Sequence, residues 1–143
     1  MFETELKFRI PPGRSDAVLR AVATPAARQL RLQAVYFDTP DFALARARMA
    51  LRLRKEGRVW VQTLKAGSGL LGRLEHEVTL TAAAREPALD VARHDGTPAG
   101  AALREVLAKA PPLVALYRTD VQRTLRLVRV AGATVELACD RGH

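Results

Sequence analysis

Charge and hydrophobicity alternate with a period of two in six stretches of this chain, and that repeat limits the fold more than any other feature. Successive side chains of a β-strand point to opposite faces, so strict alternation gives a stretch one apolar and one polar side. In the opening MFETELKF, Glu3, Glu5 and Lys7 share a side against Phe2, Thr4, Leu6 and Phe8. ALRLRK sets Arg52 and Arg54 opposite Leu51 and Leu53, and VWVQTLK ends with Lys65 on the side of Thr63. RLEHEVTL gathers Arg73, Glu75 and Glu77 opposite Leu74, Val78 and Leu80. Arg123 shares a side with Thr119, and Glu136 and Asp140 lie opposite Val135, Leu137 and Cys139.

Two arrangements satisfy this pattern. One is a large sheet with a wet face. Wet faces usually mix in Thr, Ser and Gln, whereas these sides carry six acids and six bases. The other is a barrel with its apolar side outward under helices and its charges turned into a hydrated interior. Charges so enclosed need partners, and metal ions with a polyanionic ligand would serve. Carboxylates two apart on a strand lie roughly 6–7 Å from each other and point the same way. Both can reach one hard cation such as Mg2+. Arg and Lys around it would clamp phosphates. Positioning plus charge neutralisation is what phosphoryl transfer requires.

The remaining sequence fits helices between antiparallel strands. The alternation predicts a strand over 2–10, stopped by Pro11, Pro12 and Gly13, then a helix over 15–23 capped by Ser15. A strand over 29–39 leads into Thr39-Pro40-Asp41, which reads as the start of a short helix; capping accounts for Asp38, Thr39 and Pro40 without a site. Strands over 49–55 and 58–65 meet at Glu56-Gly57, and Gly67 to Gly72 reads as a flexible loop before a strand over 73–81. Residues 82–98 read as loop, 99–110 as helix, and 114–130 as one long strand that Gly132 turns back into 134–140. Seven strands and three helices in this order predict an α+β protein or a closed barrel.

A chain of 143 residues is one domain's worth. Its net charge of +8 favours polyanionic partners. Only 5% aromatic residues, and acids interleaved with the bases, argue against nucleic acid. Cys139 stands alone, which excludes a disulfide and a structural zinc site and suits a buried, inert thiol. No leader pattern and no apolar run of ~20 residues is present, so no membrane is expected and the cytoplasm is the simplest address. His76, His94 and His143 are scattered in the pattern and receive no role.

ETELK resembles the ExExK signature of the CYTH superfamily, the triphosphate tunnel metalloenzymes. YFDTPDFALARARMALRLR, WVQTLK, RLEHEV, YRTDVQR and VELACDRG are similar to the family's successive blocks, in order, so the resemblance covers nearly the whole chain. It implies an α+β fold, a charge-lined antiparallel β-tunnel of eight strands with helices outside. It also implies hydrolysis of inorganic triphosphate, by attack of a metal-associated water on a terminal phosphoryl group. Class IV adenylate cyclase, thiamine-triphosphatase and a non-catalytic polyphosphate-binding module are the alternatives. Carried over by position, Glu3 and Glu5, with the tunnel-lining Glu75, match metal ligands for Mg2+, with Mn2+ as the alternative. Lys7, Arg52, Arg54, Lys65, Arg73 and Arg123 match phosphate-binding cations, and Glu136 and Asp140 match the acidic pair that helps place a second metal or the attacking water. Glu77 fits by parity alone.

The family continues past this point with a last acidic strand and a helix. The expectation is therefore one CYTH-like domain over 1–143 that lacks them, with an incomplete barrel of about seven strands and no second domain in this chain. Such a chain should bind triphosphate weakly and hydrolyse it poorly beside a longer one. Its partner would be a small polyanion; the oligomeric state is not legible.

Overall fold

The hairpin expected at Glu56-Gly57 organises the sheet. β3 (Met49–Glu56) and β4 (Val59–Ala66) pair antiparallel from Met49 opposite Ala66 to Glu56 opposite Val59. β5 (Arg73–Leu80) lies antiparallel on the other edge of β4, from Trp60 opposite Leu80 to Ala66 opposite Leu74. The computed structural model describes residues 2–67, 73–81 and 85–143, with the backbone alone for Phe2 and Glu3. The expected glycine-rich loop at 68–72 and positions 82–84 of the expected long loop lie outside the described residues.

The chain divides into two units, Met1–Leu6 with Gln33–Arg118, and Lys7–Leu32 with Thr119–His143. In the first unit the strand order is β1 (Phe2–Glu3), β5, β4, β3, then residues 33–38 of β2 (Arg28–Asp38) and 114–118 of β6 (Val114–Val130). The architecture is α+β with antiparallel pairing, and the described residues contain seven strands. Among the described residues, no helix is long and apolar enough to cross a membrane.

The first unit's core follows from the period of two. Leu51, Leu53, Leu64 and Ala66 point to one face of β3 and β4 and are 0–2% exposed. Leu44 of α2 (Ala43–Arg46) and Ala99 and Leu103 of α3 (Pro98–Leu107) pack on Leu51, Leu64 and Ala66. Val35, Leu53 and Trp60 form a second cluster. α3 starts where the sequence supplies a cap: the Thr97 hydroxyl accepts from the Gly100 amide at 3.0 Å and Pro98 occupies the first turn. Gly100 is needed here, because a Cβ would collide with the carbonyl of His94.

Several local expectations change. β1 spans Phe2–Glu3 rather than 2–10: among the described residues its pairing with β5 covers only those two, while Leu6 and Phe8 are largely exposed. Alternation fixes side-chain direction but does not supply a hydrogen-bonding neighbour. α2 begins at Ala43, not Pro40, because Phe42 takes a left-handed φ of 59°. The residues expected to start it still do so from a distance. Asp38 accepts from the amides of Leu44 (2.8 Å) and Ala45 (3.0 Å), and the Thr39 hydroxyl accepts from Ala43 (2.8 Å). Finally, a 3-10 helix (Val91–His94) stands within the expected loop, with the Asp90 carboxylate accepting from Ala92.

That 3-10 helix brings together two histidines that sequence spacing kept apart. Gln62 donates from Nε2 to the Asp90 carbonyl (2.7 Å), and its Oε1 accepts from the Asp90 amide (3.2 Å) and from Arg93 (2.7 Å). The amide orientation is thereby fixed, so the second Nε2 hydrogen faces His94 Nε2 at 2.9 Å. His94 must accept there and donate from Nδ1 to His76 Nδ1 at 2.8 Å. An added proton on His94 has no acceptor among the described residues. Burial, then the neighbouring His76 and Arg93, push its pKa down to about 4, against a smaller opposing pull from Asp95. The unfolded chain binds this proton near pH 6.5, so stability from this group is complete above that value and declines as pH falls toward 4. Denaturant midpoints measured from pH 7.5 to 4.5 should fall on acidification, with a shallower fall in His94→Gln. A pH-independent midpoint would refute this account.

In the second unit α1 (Ser15–Val22), residues 28–32 of β2, the remainder of β6 and β7 (Ala133–Gly142) come together. α1 begins at Ser15 itself, with Arg14 in the cap position and no side-chain cap. The β6–β7 turn is Ala131-Gly132, both at positive φ (48° and 81°), the two-residue geometry that matches strand twist. Cys139 is buried, as expected, beside Thr124 across the ladder, and Arg126 donates to the Ala21 carbonyl of α1.

Candidate phosphate-binding face

Residues opposite each other in an antiparallel ladder project to the same side. The register therefore places Lys65 and Glu75 in one row, Arg52, Thr63 and Glu77 in the next, and Arg54 one pair further along β3. Glu3 stands opposite Arg73 at the β1–β5 edge. This side lies opposite the leucine core, so charge and core are separated by the sheet itself.

The cations of this face are held differently. Lys65 lies 3.5 Å from Glu75, with side chains only 13% and 10% exposed. Arg73 donates to Glu5 at 2.9 Å, and Arg54 donates from Nε to Glu56 at 2.6 Å. Thr63 donates to Glu77 at 3.1 Å, although Glu77 is exposed. Among the described residues, Arg52 has no carboxylate partner. Its Nη1 donates to the Tyr36 hydroxyl at 3.4 Å, and its buried Nε has no hydrogen-bond partner among the described residues. A buried donor without an acceptor costs about 1–3 kcal/mol, which an anionic oxygen would offset.

Tyr36 stacks on Tyr117, with ring centroids 4.7 Å apart and planes 14° from parallel. Burial, and next the neighbouring Tyr36, raise the Tyr117 hydroxyl above the ordinary phenol range, so that it stays neutral. Neither tyrosine was singled out from the sequence. A signal was present: Tyr36 alternates with the core residues Val35 and Phe37, and Tyr117 shares the parity of Thr119 and Arg123.

The other expected site residues lie in the second unit. Lys7 is exposed. Arg123 and Asp140 are directly opposed across β6 and β7 and form a two-pronged pair at 2.7 and 2.8 Å. Glu136 is exposed, shares the side of Asp140, and faces Leu127 across the ladder. Asp120 makes a second such pair with Arg31, at 2.9 and 2.5 Å.

Could this donor set hold a divalent metal? Among the described residues, no group of three or more His, Cys, Asp and Glu is placed to hold one. Mg2+ does not require such a cage, since it commonly takes one or two carboxylates and completes its shell with water and phosphate oxygens. Glu5 and Glu75 offer oxygen donors of that type beside the Arg73 and Lys65 side chains, which fits a metal shared with a phosphate ligand.

Comparison with known proteins places these features in context. The family model of the CYTH domain matches residues 1–143. An inorganic triphosphatase from Haemophilus influenzae is 31% identical over 151 aligned positions, covering 98% of this chain. The chain spans 40% of the length of that relative. A Bacillus halodurans protein described as an adenylate cyclase superposes with a TM-score of 0.61 at 19% identity, covering 99% of this chain and 81% of its own. A Hippeastrum protein described as an adenylyl cyclase with a dominant triphosphatase activity gives a TM-score of 0.61 at 16% identity, covering 92% and 69%. The two structural likenesses establish the fold.

Proposed function

This chain belongs to the CYTH domain family, and on that premise we propose that its charged face binds a triphosphate and supports hydrolysis of the terminal phosphoryl group, with inorganic triphosphate as the substrate. The observation that carries this reading is Arg52. Its buried Nε has no acceptor among the described residues, on a face where Arg54, Lys65 and Arg73 are each compensated by a carboxylate. A phosphate oxygen supplies the missing acceptor, and the remaining cations share the charge that builds up as the anhydride bond breaks. Glu5 and Glu75, with Glu3, would hold Mg2+ in this reading. When bound, that metal neutralises charge on phosphate oxygens. Glu5 holds Arg73 and Glu75 holds Lys65 in position, so these two carboxylates orient the cradle as well. The 31% identity to an inorganic triphosphatase supports the choice of substrate, and the Hippeastrum protein supports triphosphate hydrolysis on this fold.

The test is phosphate release from tripolyphosphate, ATP and thiamine triphosphate, with and without Mg2+. Tripolyphosphate should be hydrolysed fastest, only with the metal, and at least about tenfold more slowly by Glu75→Gln. Preference for ATP with release of a cyclic product would replace this substrate with a cyclase reaction. The alternative outcome is a binding module without catalysis. Binding of tripolyphosphate with no phosphate release under any metal condition would establish it.

A further inference from the structure

Arg52 differs from its neighbours in what holds it. Lys65, Arg73 and Arg54 each meet a carboxylate, which fixes the side chain but also cancels charge. Arg52 meets a neutral phenol, the hydroxyl of Tyr36. That contact is long at 3.4 Å, so its directing value depends on how firmly the phenol is held. The Tyr36 ring is held by its stack on Tyr117, whose partly exposed ring covers one of its faces. The guanidinium is thus steered by a group that carries no charge, and its Nε donor remains uncommitted.

We infer that Tyr36, braced by Tyr117, is a positioning residue that aims Arg52 at an anionic ligand while leaving its full charge available. The inference rests on the proposed triphosphate reading of the face and adds two residues to it. An acidic residue in place of Tyr36 would hold Arg52 more tightly but compete with phosphate. A purely aliphatic one would let the long side chain sample rotamers that miss the ligand. Two stacked rings avoid both outcomes.

The test is a double-mutant cycle read by calorimetric titration with inorganic tripolyphosphate, on wild type, Tyr36→Phe, Arg52→Ala and the double variant. Tyr36→Phe keeps the stack and removes only the hydroxyl, and circular dichroism would verify the fold. Its Kd should rise about three- to tenfold, as expected for one hydrogen bond that acts through a charged group. On the Arg52→Ala background the same change should have no further effect. Tyr117→Leu should weaken binding in the same direction, and Tyr117→Phe, which restores a stacking ring, should recover it. A merely structural role for the tyrosines would add its effect equally on both backgrounds, and that additivity would overturn the inference. So would a Tyr36→Phe variant that binds like wild type. If Arg52→Ala itself leaves the Kd unchanged, the reading of the face fails and the inference falls with it.

Discussion

Leu64→Ala should lower the stability of the chain by about 2–5 kcal/mol, the range for emptying a leucine-sized space in a packed core. Leu64 is fully buried in the middle of β4, opposite Leu51 on β3 and His76 on β5. Ala66, Leu44 and the α3 residues Ala99 and Leu103 close around it. Its neighbours are anchored in strands and a helix, so the gap closes poorly. Adjacent positions on β4 point the other way, to Thr63 and Lys65 of the charged face, and the effect should extend to ligand binding. Denaturant titration would measure the loss, with Leu137→Ala as a reference. Leu137 is 40% exposed and should cost well under half as much. Equal losses at the two positions would contradict the placement of the core on this face of β3 and β4.

The alternation that made this core legible also made the candidate face legible. Arg52, Arg54, Lys65, Arg73 and Glu75 occupy one side of β3, β4 and β5 because a period of two leaves no other option once the hairpin register is set. The limits of β3 to β6 were readable within about one residue for the same reason. What escaped depends on meetings between elements. Nothing local in the sequence says that His94 of a 3-10 helix will meet His76 of β5, or that Gln62 will hydrogen-bond the far side of the His94 ring. Tyr36 and Tyr117 are eighty-one positions apart, and parity could place each on a face without pairing them. The opening strand was overestimated because alternation continues past Glu3 whether or not a neighbouring strand continues with it.

Arg52→Ala carries the largest expected change in ligand binding. The side chain supplies a fixed positive charge and a buried donor without an acceptor among the described residues. Charge-assisted hydrogen bonds of this kind contribute about 1.5–3 kcal/mol, which corresponds to roughly a 10- to 150-fold change in Kd. The effect on the ligand-free protein should have the other sign or be close to zero, since the substitution removes an unsatisfied buried donor. This opposition separates a binding residue from a structural one: a side chain kept for stability alone would show a loss in the free protein and none in affinity.

Titration of tripolyphosphate in the presence of Mg2+ into wild type and Arg52→Ala, with the unfolding midpoint of each measured alongside, is therefore the most direct test of the charged face as a triphosphate site. The structure predicts a Kd at least about tenfold higher for the variant, with an unfolding midpoint at or above that of wild type. Equal affinities in two equally folded proteins would contradict it.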